Sequence, residues 1–134
     1  MDLITVERQE NGAFAFSVRQ HEIPSDMSVA EGGQDQGPSP VELVGGALAS
    51  CIAIMVQRYC DAKEYKDGQV EVSLTMELAD DPKRVEAFVI DVELPADVPE
   101  NRMAAVQKIA EHCPVHATLS NAPRVDIDFT RGDT

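Results

Sequence analysis

The most reactive side chains of this 134-residue chain are its three cysteines, Cys51, Cys60 and Cys113. A thiolate is a strong nucleophile, and two thiols held together can cycle through a disulfide. Cys51 lies inside an apolar run, residues 41–56, whose only charge is Glu42. Cys60 follows nine residues later. At 3.6 residues per turn, nine residues leave a net rotation of about half a turn, so on one helix the two face opposite ways. Cys113 precedes Pro114, at the entrance of a predicted short helix where backbone N–H groups favour a thiolate. His112 and His116 are its neighbours. Residue types leave two readings open. Either Cys51 and Cys113 form a redox pair, or each cysteine is a small buried hydrophobe, as free cysteines commonly are.

Charged candidates surround these sulfurs in sequence. Arg58 lies seven residues after Cys51 on the same helix face, as a thiolate partner or a surface charge. Arg19 ends an apolar strand pattern, facing a cleft or solvent. Glu42 either orients a catalytic arginine or completes a helix cap with Ser39. His21, His112 and His116 could bind metal, but Cys113-Pro114-Val115-His116 is half a zinc motif without a second pair, so neither metal nor cofactor is expected.

These residues need a scaffold. The length predicts a single domain over residues 1–134. Acidic residues outnumber basic ones 24 to 11, for a net charge of −13, which disfavours nucleic acid and anionic membrane as partners. The apolar run reads as too short, and too interrupted by Gly45-Gly46, to span a membrane, and Met1-Asp2-Leu3 does not begin a signal peptide. A soluble cytoplasmic protein with reduced thiols is the resulting expectation.

The elements follow from periodicity. A strand over residues 3–8 meets Asn11-Gly12, a hairpin signal, and then the alternating Phe14, Phe16 and Val18. This strand pattern continues weakly to Ile23, before the turn at Pro24-Ser25-Asp26 and a polar loop to Pro38. Ser39, Pro40 and Glu42 mark a helix start. That helix, apolar on nearly every side, is expected to be buried and to end between Lys63 and Gly68. Val70, Val72, Leu74, Met76 and Leu78 define a half-buried strand, residues 80–83 a turn, and residues 84–94 a return strand. A second helix is expected from Pro99, capped by Asp97 and broken by Pro114. A helical turn to Leu119 and a last strand with Val125, Ile127 and Phe129 complete an α+β fold.

Two stretches together carry a resemblance. One runs Gly32-Gly33-Gln34-Asp35-Gln36-Gly37-Pro38-Ser39-Pro40-Val41-Glu42-Leu43 and on through Ala47-Leu48-Ala49-Ser50-Cys51; the other is Ile109-Ala110-Glu111-His112-Cys113-Pro114-Val115-His116-Ala117-Thr118-Leu119. In order and separated by two strands, they resemble the OsmC/Ohr-like family of osmotically inducible and organic-hydroperoxide-resistance proteins, in its general OsmC-like branch. The resemblance implies an intertwined homodimer with antiparallel sheets wrapped around long central helices, where Gly45 and Gly46 would serve close packing. It matches Cys51 to the peroxidatic cysteine and Cys113 to the resolving one. It also implies a small organic peroxide as substrate, a pocket around Ile52 and Met55, and an external dithiol as reductant. The peroxidase branches place a catalytic glutamate one position earlier, where Val41 stands; Glu42 is the glutamate here. Arg19 is the nearest match to the family's activating arginine, with Arg58 second. The alternative is a dimer that holds a small apolar ligand in its interface pocket without turnover.

Overall fold

The computed structural model describes residues 1–132. The chain divides into two compact units, one made of Met1–Ala49 and Ser73–Asp91, the other of Ser50–Val72 and the chain from Val92 onward.

The first unit opens with three antiparallel strands, β1 (Ile4–Arg8), β2 (Phe14–Val18) and β3 (His21–Ser25). The β1–β2 turn closes through Gln9 N–H to Ala13 O and Gly12 N–H to Gln9 O. Only Gly12 of the Asn-Gly pair takes a positive φ; Asn11 instead accepts the Ala13 N–H on its side chain. The strand pattern expected to run on to Ile23 is broken by a second hairpin at Arg19-Gln20, with Arg19 at φ 53°. Neither residue carries the usual turn chemistry, so this turn has no local signal. Residues directly opposite share a face. Val6, Phe16 and Ile23 therefore stand in one row, next to Ile4 and Val18 in another. This apolar face is open, with Ile4 61% and Val6 60% exposed; the alanine face, Ala13 and Ala15, is the buried one.

The long helix α1 (Pro40–Ala62) starts on the expected capping box. Ser39 N–H donates to Glu42 Oε1 at 2.9 Å, and Glu42 N–H donates to Ser39 Oγ at 3.2 Å. The Ser39 N–H, and after it the Ser39 side chain, hold the Glu42 carboxyl below the usual carboxylate range. Leu48, Ile52, Val56 and Cys60, spaced by four, form a fully buried stripe. Gly45 is buried as well, but much of the helix is not, against expectation: Val41, Val44 and Ile54 are exposed. α1 has 23 residues and contains an 18-residue stretch of mean hydropathy 1.6, long and apolar enough to cross a membrane by length and composition only, a test that the core helix of a soluble protein also passes. Gly45 and Gly46 have different surroundings. A Cβ on Gly45 would meet Leu74 Cδ2 at 3.1 Å and Met76 Sδ at 3.4 Å, whereas nothing lies within 4 Å of one on Gly46.

The hairpin β4 (Glu71–Ala79) and β5 (Arg84–Glu93) follows the predicted alternation, with polar Glu71, Ser73, Thr75 and Glu77 outward. In the second unit, a 3-10 turn (Glu100–Arg102) leads into α2 (Met103–Glu111), and α3 (Pro114–Ser120) follows. Asp97 does not cap this region. Its carboxylate accepts the Lys66 and Asp67 N–H groups at 3.0 and 3.1 Å, a pairing some thirty residues long that sequence spacing cannot show. Residues 121–132 form no strand. Val125, Ile127 and Phe129 alternate as expected but stand exposed, because a strand needs a neighbour and the described residues offer none.

Candidate functional site

The second unit contains all three cysteines, each a free thiol. Cys51 is half-buried, one position before Ile52 and so about 100° round from the buried stripe of α1. Cys60, half a turn away, is completely buried within that stripe. The helix phase thus separates the two sulfurs as the spacing implied.

Cys113 owes its position to the proline after it. The residue before a proline avoids the helical region, so α2 ends at Glu111 and Cys113 becomes an extended link, at φ −66° and ψ 146°. It is then the N-cap of α3, with Pro114 in the first helical position. Its sulfur accepts the His116 N–H at 3.3 Å. The side chain is fully buried. The fold also brings Cys51 near enough to influence the Cys113 thiol.

This environment reverses one expectation. A helix entrance was expected to favour a Cys113 thiolate. Burial instead pushes the Cys113 thiol up; the His116 N–H opposes the rise, and the hydrogen bond and charge of Cys51 add to it. A seven-residue helix contributes little field against full desolvation of a sulfur anion. Cys60 is also pushed up, by burial and then by the carboxylates of Asp61 and Asp97.

The OsmC-like protein model matches residues 33–128. The chain belongs to the OsmC-like family. Solved structures agree on the fold. A Psychrobacter arcticus protein assigned to osmotic stress and detoxification responses is 23% identical, covers 88% of each chain, and superposes with a TM-score of 0.78. An OsmC-like protein of Mycoplasma pneumoniae is 17% identical over 91% of this chain and 89% of its own, with a TM-score of 0.75. An organic hydroperoxide resistance protein of Legionella pneumophila is 17% identical over 89% of this chain and 88% of its own, with a TM-score of 0.60. Among curated proteins no sequence matches.

For an OsmC-like chain, the charged candidates are placed unevenly. Arg19 stands exposed at the β2–β3 tip, and among the described residues it makes no hydrogen bond or ion pair. Arg58 is exposed on a groove with Ala53, Ile54, Gln57, Asp61 and Val70, a lining that does not include Cys51. Glu42 is engaged in its capping box. His112 Nδ1 lies 2.6 Å from Lys108 O and His116 Nδ1 3.3 Å from Ser120 Oγ, while His21 is exposed on β3. Among the described residues no three acidic, histidine or cysteine side chains cluster to hold a metal. Ile52 is buried and Met55 half-buried on α1.

Sequence reading passed over Asp26 as part of a turn. Its carboxylate accepts the N–H groups of Met27, Gln34 and Gln36 at 2.8, 3.1 and 3.2 Å and so organises the whole polar loop. An aspartate opening a glycine-rich loop is the signal that could have found it.

Proposed function

We propose that this chain is a cysteine-based peroxidase that reduces organic hydroperoxides as a homodimer. The nearness of Cys51 to Cys113 supports this reading, because it sets a half-buried thiol beside a fully buried one. The Cys51 thiolate attacks the outer peroxide oxygen. The O–O bond breaks, the alkoxide leaves and takes a proton as alcohol, and Cys51 becomes a sulfenic acid. The Cys113 thiolate then attacks the Cys51 sulfur, a disulfide forms, and hydroxide leaves as water. An external dithiol reduces the disulfide through a mixed-disulfide step and is itself oxidised. Keeping Cys113 inside the protein shields the resolving thiol from direct oxidation.

The dimer is supported by apolar surface that the single chain leaves uncovered. The Ile4, Val6, Phe16, Val18 and Ile23 face of the first sheet, the Val41, Val44 and Ile54 side of α1, and the tail of Val125, Ile127 and Phe129 are all open to some degree. A second copy would give Gly46 a close neighbour and the tail a strand to pair with. The family and the Legionella relative, an organic hydroperoxide resistance protein, support the substrate class. Arg19 and Glu42 enter the reading as further site residues, with Arg19 the activating cation.

A second reading is a dimer that binds a small apolar ligand without turnover. It is favoured by Val41 at the glutamate position and by the distribution of Arg19 and Arg58. Consumption of cumene hydroperoxide with dithiothreitol separates the two. The peroxidase reading requires dithiol-dependent turnover that Cys51→Ser abolishes; turnover that survives intact in that variant, or none in the parent protein, overturns it.

A further inference from the structure

The two sulfurs that the peroxidase reading joins differ in how a second molecule can reach them. Thiol–disulfide exchange is a displacement. The incoming thiolate approaches one sulfur in line with the S–S bond, and the far sulfur leaves with the bonding pair. Access to the attacked sulfur and the stability of the leaving thiolate therefore both set the direction.

Access favours Cys51. It is half-buried on α1, and its helix neighbours Ser50 and Ile54 are exposed. Cys113 is 0% exposed. A homodimer keeps this order. Peroxide has to reach Cys51 in any assembly that turns over, so an opening to that sulfur persists. No step of peroxide reduction requires an opening to Cys113.

The leaving group pulls the other way. Burial pushes the Cys113 thiol up, which makes it the poorer leaving group. That disadvantage is graded, and one bond offsets part of it. The His116 N–H donates to the Cys113 sulfur at 3.3 Å and would receive the departing anion. Denial of access is not graded in this way. A sulfur sealed from solvent is attacked only after the protein opens locally, at a separate cost in free energy.

We propose that reduction enters through Cys51. This rests on the peroxidase reading and deepens it by naming the sulfur that is attacked. One thiolate of the dithiol bonds to the Cys51 sulfur. The Cys51–Cys113 bond breaks, and Cys113 leaves as a thiolate held by the His116 N–H, then takes a proton from water. The second thiolate of the dithiol attacks the dithiol's own sulfur in that mixed disulfide, which closes the oxidised reductant and releases the Cys51 thiolate. Both electrons come from the dithiol. Peroxide and reductant thus share one entrance, and the buried Cys113 meets neither.

The test uses the full chain with its Cys51–Cys113 bond closed by diamide, and 2-mercaptoethanol, a monothiol that stops at the mixed disulfide. Samples taken at early times are quenched in acid, unfolded, blocked with N-ethylmaleimide and mapped by peptide mass spectrometry. Mercaptoethanol on Cys51 with maleimide on Cys113 should exceed the opposite pattern about tenfold or more. In urea-unfolded protein, where both sulfurs are open, that excess should fall to within about twofold. Mercaptoethanol chiefly on Cys113, equal labelling in the folded protein, or an excess that persists in urea overturns the proposal. None of these results touches the peroxidase reading, since diamide closes the bond and no peroxide is used. A protein in which diamide closes no Cys51–Cys113 bond overturns both.

Discussion

Cys60 and Cys113 are alike in burial and opposite in company. Both are fully enclosed, and in both burial pushes the thiol up. Around Cys60 the further influences are the carboxylates of Asp61 and Asp97, which also disfavour a thiolate. Around Cys113 they are an N–H donor from His116 and a second thiol, Cys51. A buried cysteine with only acids near it is packing material, because its anion has no stabilising neighbour. One with a donor and another sulfur can become a thiolate briefly, when there is something to attack. The difference lies in the partners, not in burial.

The largest expected contrast is in turnover. Cys113→Ser should consume about two equivalents of hydroperoxide per Cys51 and then stall, one to form the sulfenic acid and a second as it moves up the oxidation ladder to sulfinic acid without a resolving thiol. Cys60→Ala should keep cycling at the parent rate. Rapid-mixing assays against steady-state turnover would measure this, and stalling in the Cys60 variant would remove the distinction drawn between the two residues.

The next contrast is in pH. Because the Cys113 thiol is pushed up, its thiolate is scarce at neutrality, and closure of the disulfide should quicken about tenfold per pH unit until the Cys113 pKa is reached. The same raised values work against stability in alkali. Above the ordinary thiol range, folded Cys60 and Cys113 keep protons that the unfolded chain releases, so stability should fall as pH rises through their folded values. Urea titrations across the alkaline range would show the slope, and in Cys60→Ala the slope should be shallower.

The smallest effect is on folding alone. Replacing either buried sulfur by alanine leaves a methyl-sized void, costing about 1 kcal/mol. Cys113→Ala additionally loses the cap on the His116 N–H and should cost more than Cys60→Ala. Equal losses would mean that the cap contributes nothing.

What could be read from the sequence followed the range of each interaction. The Ser39–Glu42 cap was readable because its partners are three residues apart. The separation of Cys51 from Cys60 was readable because helix phase is regular. The Arg19-Gln20 turn was not, since neither residue type marks a positive φ. Asp97 was misassigned as a cap because its true donors, Lys66 and Asp67, are distant in sequence. The Val125, Ile127 and Phe129 pattern reads as a strand, but its hydrogen-bond partner is not among the described residues. For the site, spacing gave no reason to join residue 51 to residue 113, and the family resemblance supplied it. Nothing local could have announced that burial would overrule the helix entrance at Cys113, because desolvation is set by the whole surrounding fold.

The most direct measurement is disulfide mapping by peptide mass spectrometry after one equivalent of cumene hydroperoxide is added to the reduced protein. The account predicts one intrachain bond, Cys51 to Cys113, with Cys60 remaining a free thiol. A bond that includes Cys60, or Cys51 driven to sulfinic acid while Cys113 stays reduced, would contradict it.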